Sequence, residues 1–219
     1  MTSENPLETE REQVARLGKE LLDRGLTAGT GGNVSVRRGN RVAVSPSGVP
    51  YEEVTPETVP IVSVDGEHLW GDDKPSSETP MHTLIYQARP DVGGIAHTHS
   101  PYACTFATVG EPIPPSYYLI AFAGDKVPVA EYAHPGTAEL GELAVEALGD
   151  SYDACLLKHH GVMALGETGE DALEVAVMVE MCARIHYQAA NLGTPQLLPD
   201  DAIDDLRVKF GNYGQNRQA

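Results

Sequence analysis

Basic residues are scarce: 15 Lys and Arg stand against 32 Asp and Glu, a formal net charge of −17 over 219 residues. That balance excludes nucleic acid as a partner, because neutralising phosphates needs a basic stripe. The densest basic cluster, Arg37, Arg38 and Arg41, reads instead as the flanks of a turn. No apolar run approaches the roughly 20 residues of a membrane span. The opening MTSENPLETERE is acidic where an export signal would be basic and then apolar, so a cytoplasmic protein with no membrane partner is expected. Cysteine is sparse too. Cys104, Cys155 and Cys182 are odd in number, far apart and set in apolar surroundings, which predicts reduced core thiols and leaves no thiolate metal site. Apolar types still make up 41%, enough for a sizeable core and incompatible with a disordered chain. The acids are spread from Glu4 to Asp205, a pattern suited to a carboxylate-rich surface in high salt.

The order of elements follows from capping and periodicity. Thr9 and Glu12 at capping-box spacing, then Val14, Leu17 and Leu21, then Gly25, predict a first helix. A Gly-rich loop runs from Ala28 to Asn33. Period-two strands follow over Asn33 to Val36 and Val42 to Ser45, and another over Ile61 to Val64, which ends at an Asp65-Gly66 hairpin signal. Pro75-Ser76-Ser77-Glu78 opens a helix that stops before Pro90, and Gly94 to His99 reads as a strand. Further strands are expected near Tyr118 to Phe122, Val127 to Tyr132 and Ala154 to Leu157. Helices are expected over Thr137 to Leu148, Glu170 to Asn191 and Asp201 to Phe210. With no repeat and no dividing linker, the chain reads as one α/β domain over 1–219, with flexible ends at 1–8 and 214–219. Hairpin signals outnumber crossovers, which predicts a mainly antiparallel sheet.

The chemistry concentrates in two histidine clusters. In His97-Thr98-His99, side chains two apart on a strand emerge on one face and can grip one ion, although such a pair alone is equally served by ordinary hydrogen bonds. A second cluster, Lys158-His159-His160-Gly161, again closes an apolar run, so three imidazoles can converge. Three nitrogens and a vacant position suit a catalytic zinc, or another divalent cation, better than a closed structural site. An HxHxDH hydrolase would need an acid at Pro101, and only 120 residues follow His99, too few for an amidohydrolase barrel. Glu78, where a helix begins, is the candidate base; alone it would be read as complementing the helix dipole. Ser76, Ser77, the loop Gly29-Thr30-Gly31-Gly32-Asn33 and the turn Ser47-Gly48 supply hydroxyls and amides for an anion. No GxxxxGK[ST] sequence occurs, so that anion is a phosphate of something smaller than a nucleoside triphosphate.

Gly29-Thr30-Gly31-Gly32-Asn33-Val34-Ser35, Ser45-Pro46-Ser47-Gly48, Pro75-Ser76-Ser77-Glu78, His97-Thr98-His99 and His159-His160-Gly161, in that order, resemble the class II aldolase and adducin family, most closely its fuculose-phosphate branch. The likeness runs from Leu21 to Tyr213. It implies an αβα sandwich in which His97, His99 and His160 bind zinc and Glu78 is the acid/base. It further implies that Asn33, Ser47, Gly48, Ser76 and Ser77 hold the substrate phosphate. Tyr118 would reach into a neighbouring subunit of a homotetramer and Tyr213 would cover the site. The implied reaction is reversible cleavage of a ketose 1-phosphate, of the L-fuculose 1-phosphate kind, to dihydroxyacetone phosphate and a small aldehyde through an enediolate. Gly124-Asp125 and His134-Pro135 depart from that branch near the aldehyde end. Sugar-phosphate 4-epimerases carry Asp where Glu78 stands, methylthioribulose-phosphate dehydratases share the histidines, and an adducin-like interaction module would need neither Glu78 nor an open zinc position.

Overall fold

A computed structural model describes residues 6–211. All eight strands join one sheet: β1 (Asn33–Arg38), β2 (Arg41–Val44), β3 (Ile61–Ser63), β4 (His68–Trp70), β5 (Gly94–Thr98), β6 (Val129–Ala130), β7 (Ala154–Leu157) and β8 (Gly161–Gly166). Their spatial order is β4-β3-β2-β1-β5-β8-β7-β6. Every pairing is antiparallel except β6 with β7, as the hairpin signals predicted. The turn between β1 and β2 is bracketed by the Arg38–Arg41 pair, so those arginines do flank a turn.

Strict alternation along the strands feeds two cores. Val34 and Val36, Ala96, Ala154 and Leu156, and Val162 and Ala164 face one side; Val42 and Val44, Ile95, Cys155 and Leu157, and Met163 and Leu165 face the other. Because both faces carry apolar side chains, both must be covered. Helices α1 (Glu8–Asp23), α3 (Pro101–Val109) and α5 (Gly169–Leu192) cover the first, and α2 (Thr79–Ala88) and α4 (Ala138–Leu148) the second. The last helix, α6 (Asp200–Gly211), packs on the segment around Tyr118. Cys155 and Cys182 are buried and Cys104 half-buried, all three as free thiols.

The helix ends explain where prediction held. Thr137 caps α4 by accepting from Leu140 N–H, and Thr168 with Asp171 closes a capping box on α5. Elsewhere the chain departs from expectation. Thr9 lies inside α1, whose N-cap is Leu7 with no side-chain cap bond, and Glu8, at the edge of the expected flexible end, is already helical. Pro6 and Leu7 form a turn that leads into the helix, and the rest of those ends, 1–5 and 214–219, lies outside the described residues. Tyr118–Phe122 is a 3₁₀ turn, not a strand, closed by Ile120 N–H to Tyr117 O and Ala123 N–H to Ile120 O. A short apolar run of that length carries no period able to tell the two apart. The strand expected over Val127 to Tyr132 shrinks to Val129–Ala130, since Pro128 has no N–H to give a ladder. Helix α3 and strand β8 are additions, each marked in hindsight by punctuation: Pro101 at the first helical position with left-handed Gly110 after it, and Gly161 and Gly166 around VMAL.

Candidate metal centre and active site

Asn33 on β1 sits directly opposite His97 on β5, both on the sheet face covered by α2. Helix α2 brings Glu78, its N-cap, over that pair. His99 lies one residue beyond the end of β5, fixed by its N–H to Leu26 O at 3.0 Å. The chain then turns at once into α3, whose first amides, Tyr102 and Ala103, donate to the Glu180 carboxylate at 3.0 and 2.9 Å. His160 comes from the β7–β8 turn. That turn reverses at His159, left-handed at φ 58°, and closes with His160 N–H on Leu157 O. The reversal points His160 toward the other two rings, while His159 is not part of the cluster. Gly161 follows because β8 runs hard against β5: a Cβ there would lie 2.4 Å from Thr98 O and 2.9 Å from both His97 and His99.

The four side chains meet tightly. One donor atom each from Glu78, His97, His99 and His160 lies within 4.8 Å of all the others. His97 Nε2 is 3.0 Å from His99 Nε2 and 3.1 Å from Glu78 Oε2, and His160 Nε2 is 3.2 Å from Glu78 Oε1. Tetrahedral ligands about 2.0–2.1 Å from an ion stand about 3.3 Å apart, so this set fits a divalent cation. Two further observations support the fit. His97 Nδ1–H donates to Val162 O at 2.9 Å, which leaves the Nε2 lone pair aimed inward. His99 Nε2 stands 3.0 Å from that lone pair, close to the ligand-to-ligand spacing of a shared cation. Glu78 Oε1 is buried without a hydrogen-bond partner, because its contact with His160 lacks hydrogen-bond geometry.

Charge states follow from burial and neighbours. Burial alone would raise the Glu78 carboxyl, but the positive charge that His97 and His160 can carry outweighs it and holds the group well below the usual carboxylate range. Burial, reinforced by His97 and His160, pushes His99 down to about 4, so it is neutral, the form a metal takes.

Asn33, Ser47, Gly48, Ser76 and Ser77 all line one cleft of about 230 Å³, together with Glu78, His99, His160, the loop Thr30–Gly32 and Pro135. The backbone N–H of Ser76 is spent on Ser45 O, that of Ser47 on Lys74 O, and that of Glu78 on Ser76 Oγ. The first-turn amides of Ser76 and Glu78, expected as anion donors, are therefore committed; the Ser76 hydroxyl accepts and keeps its own hydrogen to donate. Asn33 is committed at both ends of its carboxamide, with Nδ2 donating to Glu78 Oε2 at 2.8 Å and Oδ1 facing His82 Nε2. Tyr118 does not line the cleft of its own chain. It is 44% exposed and packs on Tyr117 and Phe210. Tyr213 lies outside the described residues. A larger cavity, about 540 Å³, opens beside Arg89, Asp153 and Arg207 and holds none of the clustered side chains.

Two residues of the site escaped the sequence reading. Tyr51 is buried beneath the Gly-rich loop and donates to Gly32 O at 2.9 Å, holding that loop in place. His82 is fully buried one helical turn after Glu78; that spacing on a largely apolar helix was the signal available.

The chain matches the model of the class II aldolase and adducin N-terminal domain over residues 12–187. It is 46% identical over 211 residues to a 5-deoxy-D-ribulose 1-phosphate aldolase of Bacillus thuringiensis serovar kurstaki, covering 95% of this chain and 99% of that protein. It is 40% identical to a 5-methylthioribulose-1-phosphate/5-deoxyribulose-1-phosphate aldolase of Rhodospirillum rubrum, covering 91% of this chain and 90% of the relative. A solved L-fuculose 1-phosphate aldolase superposes with a TM-score of 0.90 at 38% identity, covering 93% of this chain and 96% of that one. With the histidine and glutamate cluster in place and relatives of this kind along nearly its whole length, the chain belongs to the class II aldolase and adducin family and is a metal-dependent aldehyde-lyase.

Proposed function

We propose that the protein reversibly cleaves a short deoxyketose 1-phosphate between its third and fourth carbons, giving dihydroxyacetone phosphate and a small aldehyde. A 5-deoxypentulose 1-phosphate, which would give acetaldehyde, is the substrate we place first, because the 46%-identical relative is named for one; L-fuculose 1-phosphate is the second. The observation that carries the reading is the Glu78 carboxylate wedged between His97 and His160 at the head of a hydroxyl-lined cleft.

His97, His99 and His160 would hold the cation, which we take to be zinc. When bound it supplies Lewis-acid polarisation of the substrate carbonyl and the neighbouring hydroxyl. Ser47, Gly48, Ser76, Ser77 and the Asn33 region hold the phosphate and so orient the scissile bond. Glu78 rests ionised and is anchored through Oε2, so Oε1, the oxygen without a hydrogen-bond partner, is the atom that takes up and gives back the proton. In cleavage that proton goes to the third carbon as its bond to the aldehyde breaks; in synthesis Glu78 takes it back. The hydroxyl proton on the aldehyde half needs a separate acceptor; Tyr118 of a second copy of this chain, exposed and outside its own cleft, would take it as the phenolate in cleavage and return it as the phenol in synthesis. Assembly into a homotetramer would bring it there, and Tyr213 keeps the covering role of the family likeness. Three unpaired thiols suit a reducing compartment such as the cytoplasm.

Metal analysis followed by product identification on L-fuculose, 5-deoxyribulose and 5-methylthioribulose 1-phosphates, with and without chelator, tests the proposal. Dihydroxyacetone phosphate released only by metal-loaded protein is expected. An epimerised pentulose phosphate, or loss of water with the carbon chain intact, would overturn it.

A further inference from the structure

We propose that His82 is a positioning residue for this reaction: it clamps the Asn33 carboxamide in the single orientation that aims Nδ2 at Glu78 Oε2. The inference rests on the reading of Glu78 as the group that carries the proton.

A run of side chains leads from Glu78 into the core. Asn33 Nδ2 lies 2.8 Å from Glu78 Oε2, Asn33 Oδ1 lies 2.5 Å from His82 Nε2, His82 Nδ1 lies 2.7 Å from Ser35 Oγ, and Ser35 Oγ lies 2.9 Å from Tyr86 OH. An ionised carboxylate only accepts, so the nitrogen end of Asn33 must face it and Oδ1 must face His82. His82 Nε2 therefore bears the hydrogen and donates, and its Nδ1 accepts from the Ser35 hydroxyl; the Tyr86 hydroxyl, 2.9 Å from Ser35 Oγ, also donates to Ser35 O at 3.1 Å. From Ser35 to Asn33 the donors point toward Glu78, an arrangement in which each bond polarises the next. A neutral His82 is required for that direction, and burial, reinforced by His97, holds it at about 3.

The run is sealed: His82 and Ser35 are 0% exposed and Tyr86 1%. Among the described residues His82 is the side chain that donates to Asn33 Oδ1. Without it the carboxamide could turn about its last torsion, and the turned form would set Oδ1 against the Glu78 carboxylate. His82 itself lines no part of the cleft, and of the residues proposed to hold the phosphate it meets Asn33 alone; Ser47, Gly48, Ser76 and Ser77 do not depend on it. Its loss should therefore act on the proton carrier more than on substrate capture.

The test compares wild type with His82→Leu, His82→Gln and, as a stability reference outside the run, the buried core variant Leu148→Ala. Glutamine can donate to Asn33 and accept from Ser35, whereas leucine can do neither. His82→Leu is expected to lower kcat about 10–100-fold, the usual scale for a residue that orients a ligand or base. Its KM should stay within about threefold of wild type, and its zinc content by metal analysis should be unchanged. His82→Gln should recover most of kcat. Leu148→Ala should lose thermal stability comparably and keep kcat. An activity-independent readout is the pair of Asn33 side-chain amide signals in ¹⁵N-asparagine-labelled protein: displaced from solvent values in wild type, collapsed toward them in His82→Leu, restored in His82→Gln. Unchanged Asn33 signals in His82→Leu, or unchanged kcat, overturn the proposal. Wild-type protein inert on every ketose phosphate overturns the functional reading instead, and the amide signals still decide the role of His82.

Discussion

The two oxygens of Glu78 are unequal, which suits the acid/base role proposed for it. Oε2 is met by Asn33 Nδ2 at 2.8 Å and His97 Nε2 at 3.1 Å, while Oε1 has no hydrogen-bond partner. Glu78→Gln keeps the shape but cannot carry the proton, so kcat should fall about 10²–10⁴-fold, the ordinary worth of a general acid/base. Metal content should be retained, since the three imidazoles remain; steady-state kinetics with metal analysis on the same sample checks both. His82 gives a pH prediction for the metal-free protein. Its ordinary value of 6.5 falls to about 3 in the fold, so between those values the unfolded chain binds the extra proton. The stability tied to the neutral ring is complete above about pH 6.5 and drains away as pH falls, with a slope of up to about 1.4 kcal/mol per pH unit. Urea unfolding at pH 7 and pH 5 should show a smaller loss for His82→Gln than for wild type. His97, His99 and Glu78 were legible in the sequence because short spacing and helix position point at chemistry directly, and so was the His159-His160 pair, within which only the family resemblance chose His160. His82 was not, because a lone histidine on an apolar helix face has an ordinary core reading, and only the fold reveals Asn33 opposite it.

The β7–β8 turn and the end of β5 set the ligand geometry, and Gly161 is the point where they touch. Gly161→Ala would place a methyl 2.4 Å from Thr98 O and 2.9 Å from both His97 and His99. Backbone on one side and two ligand rings on the other leave it nowhere to go. Overpacking of this kind costs about 1–3 kcal/mol, and here it should also weaken metal binding, because the displaced rings belong to the cluster proposed to hold the cation. Thermal unfolding and a titration with a divalent cation check the two effects; a variant that loses stability with unchanged metal affinity would show that the rings yield without consequence. Elements with strong local signals were read well from sequence: α4 and α5 with their threonine caps, β1 and β2 with their alternation, and the hairpin at Gly66. Edge segments were not. Tyr118–Phe122 and the Pro128 region owe their conformations to α6, to β7 and to missing backbone donors, none of which a local window contains. Helix α3 was overlooked although Pro101 and Gly110 bracket it, since its apolar residues show little amphipathic contrast between faces.

The net charge of −17 acts on the molecule as a whole. Ion pairs do not absorb it. Arg16 with Glu20 and Glu170, and Arg24 with Glu20, are surface pairs, worth about 0–1 kcal/mol apiece and weakened by salt; Arg89, largely buried, pairs with Asp91 and Asp153. Dispersed acids elsewhere repel at distances of the order of the Debye length, about 10 Å at 0.1 M salt and 3 Å at 1 M. Raising salt therefore removes more repulsion than attraction, and folding should become more favourable. The histidine and glutamate cluster is shielded from this effect, as its donor atoms lie within 4.8 Å of one another, with Glu78 and His97 buried and His99 and His160 half-buried. The melting temperature should climb steadily between low and molar KCl, while metal stoichiometry stays constant. A melting temperature that is flat across the series would mean that the acids are too far apart, or too well compensated, to govern stability.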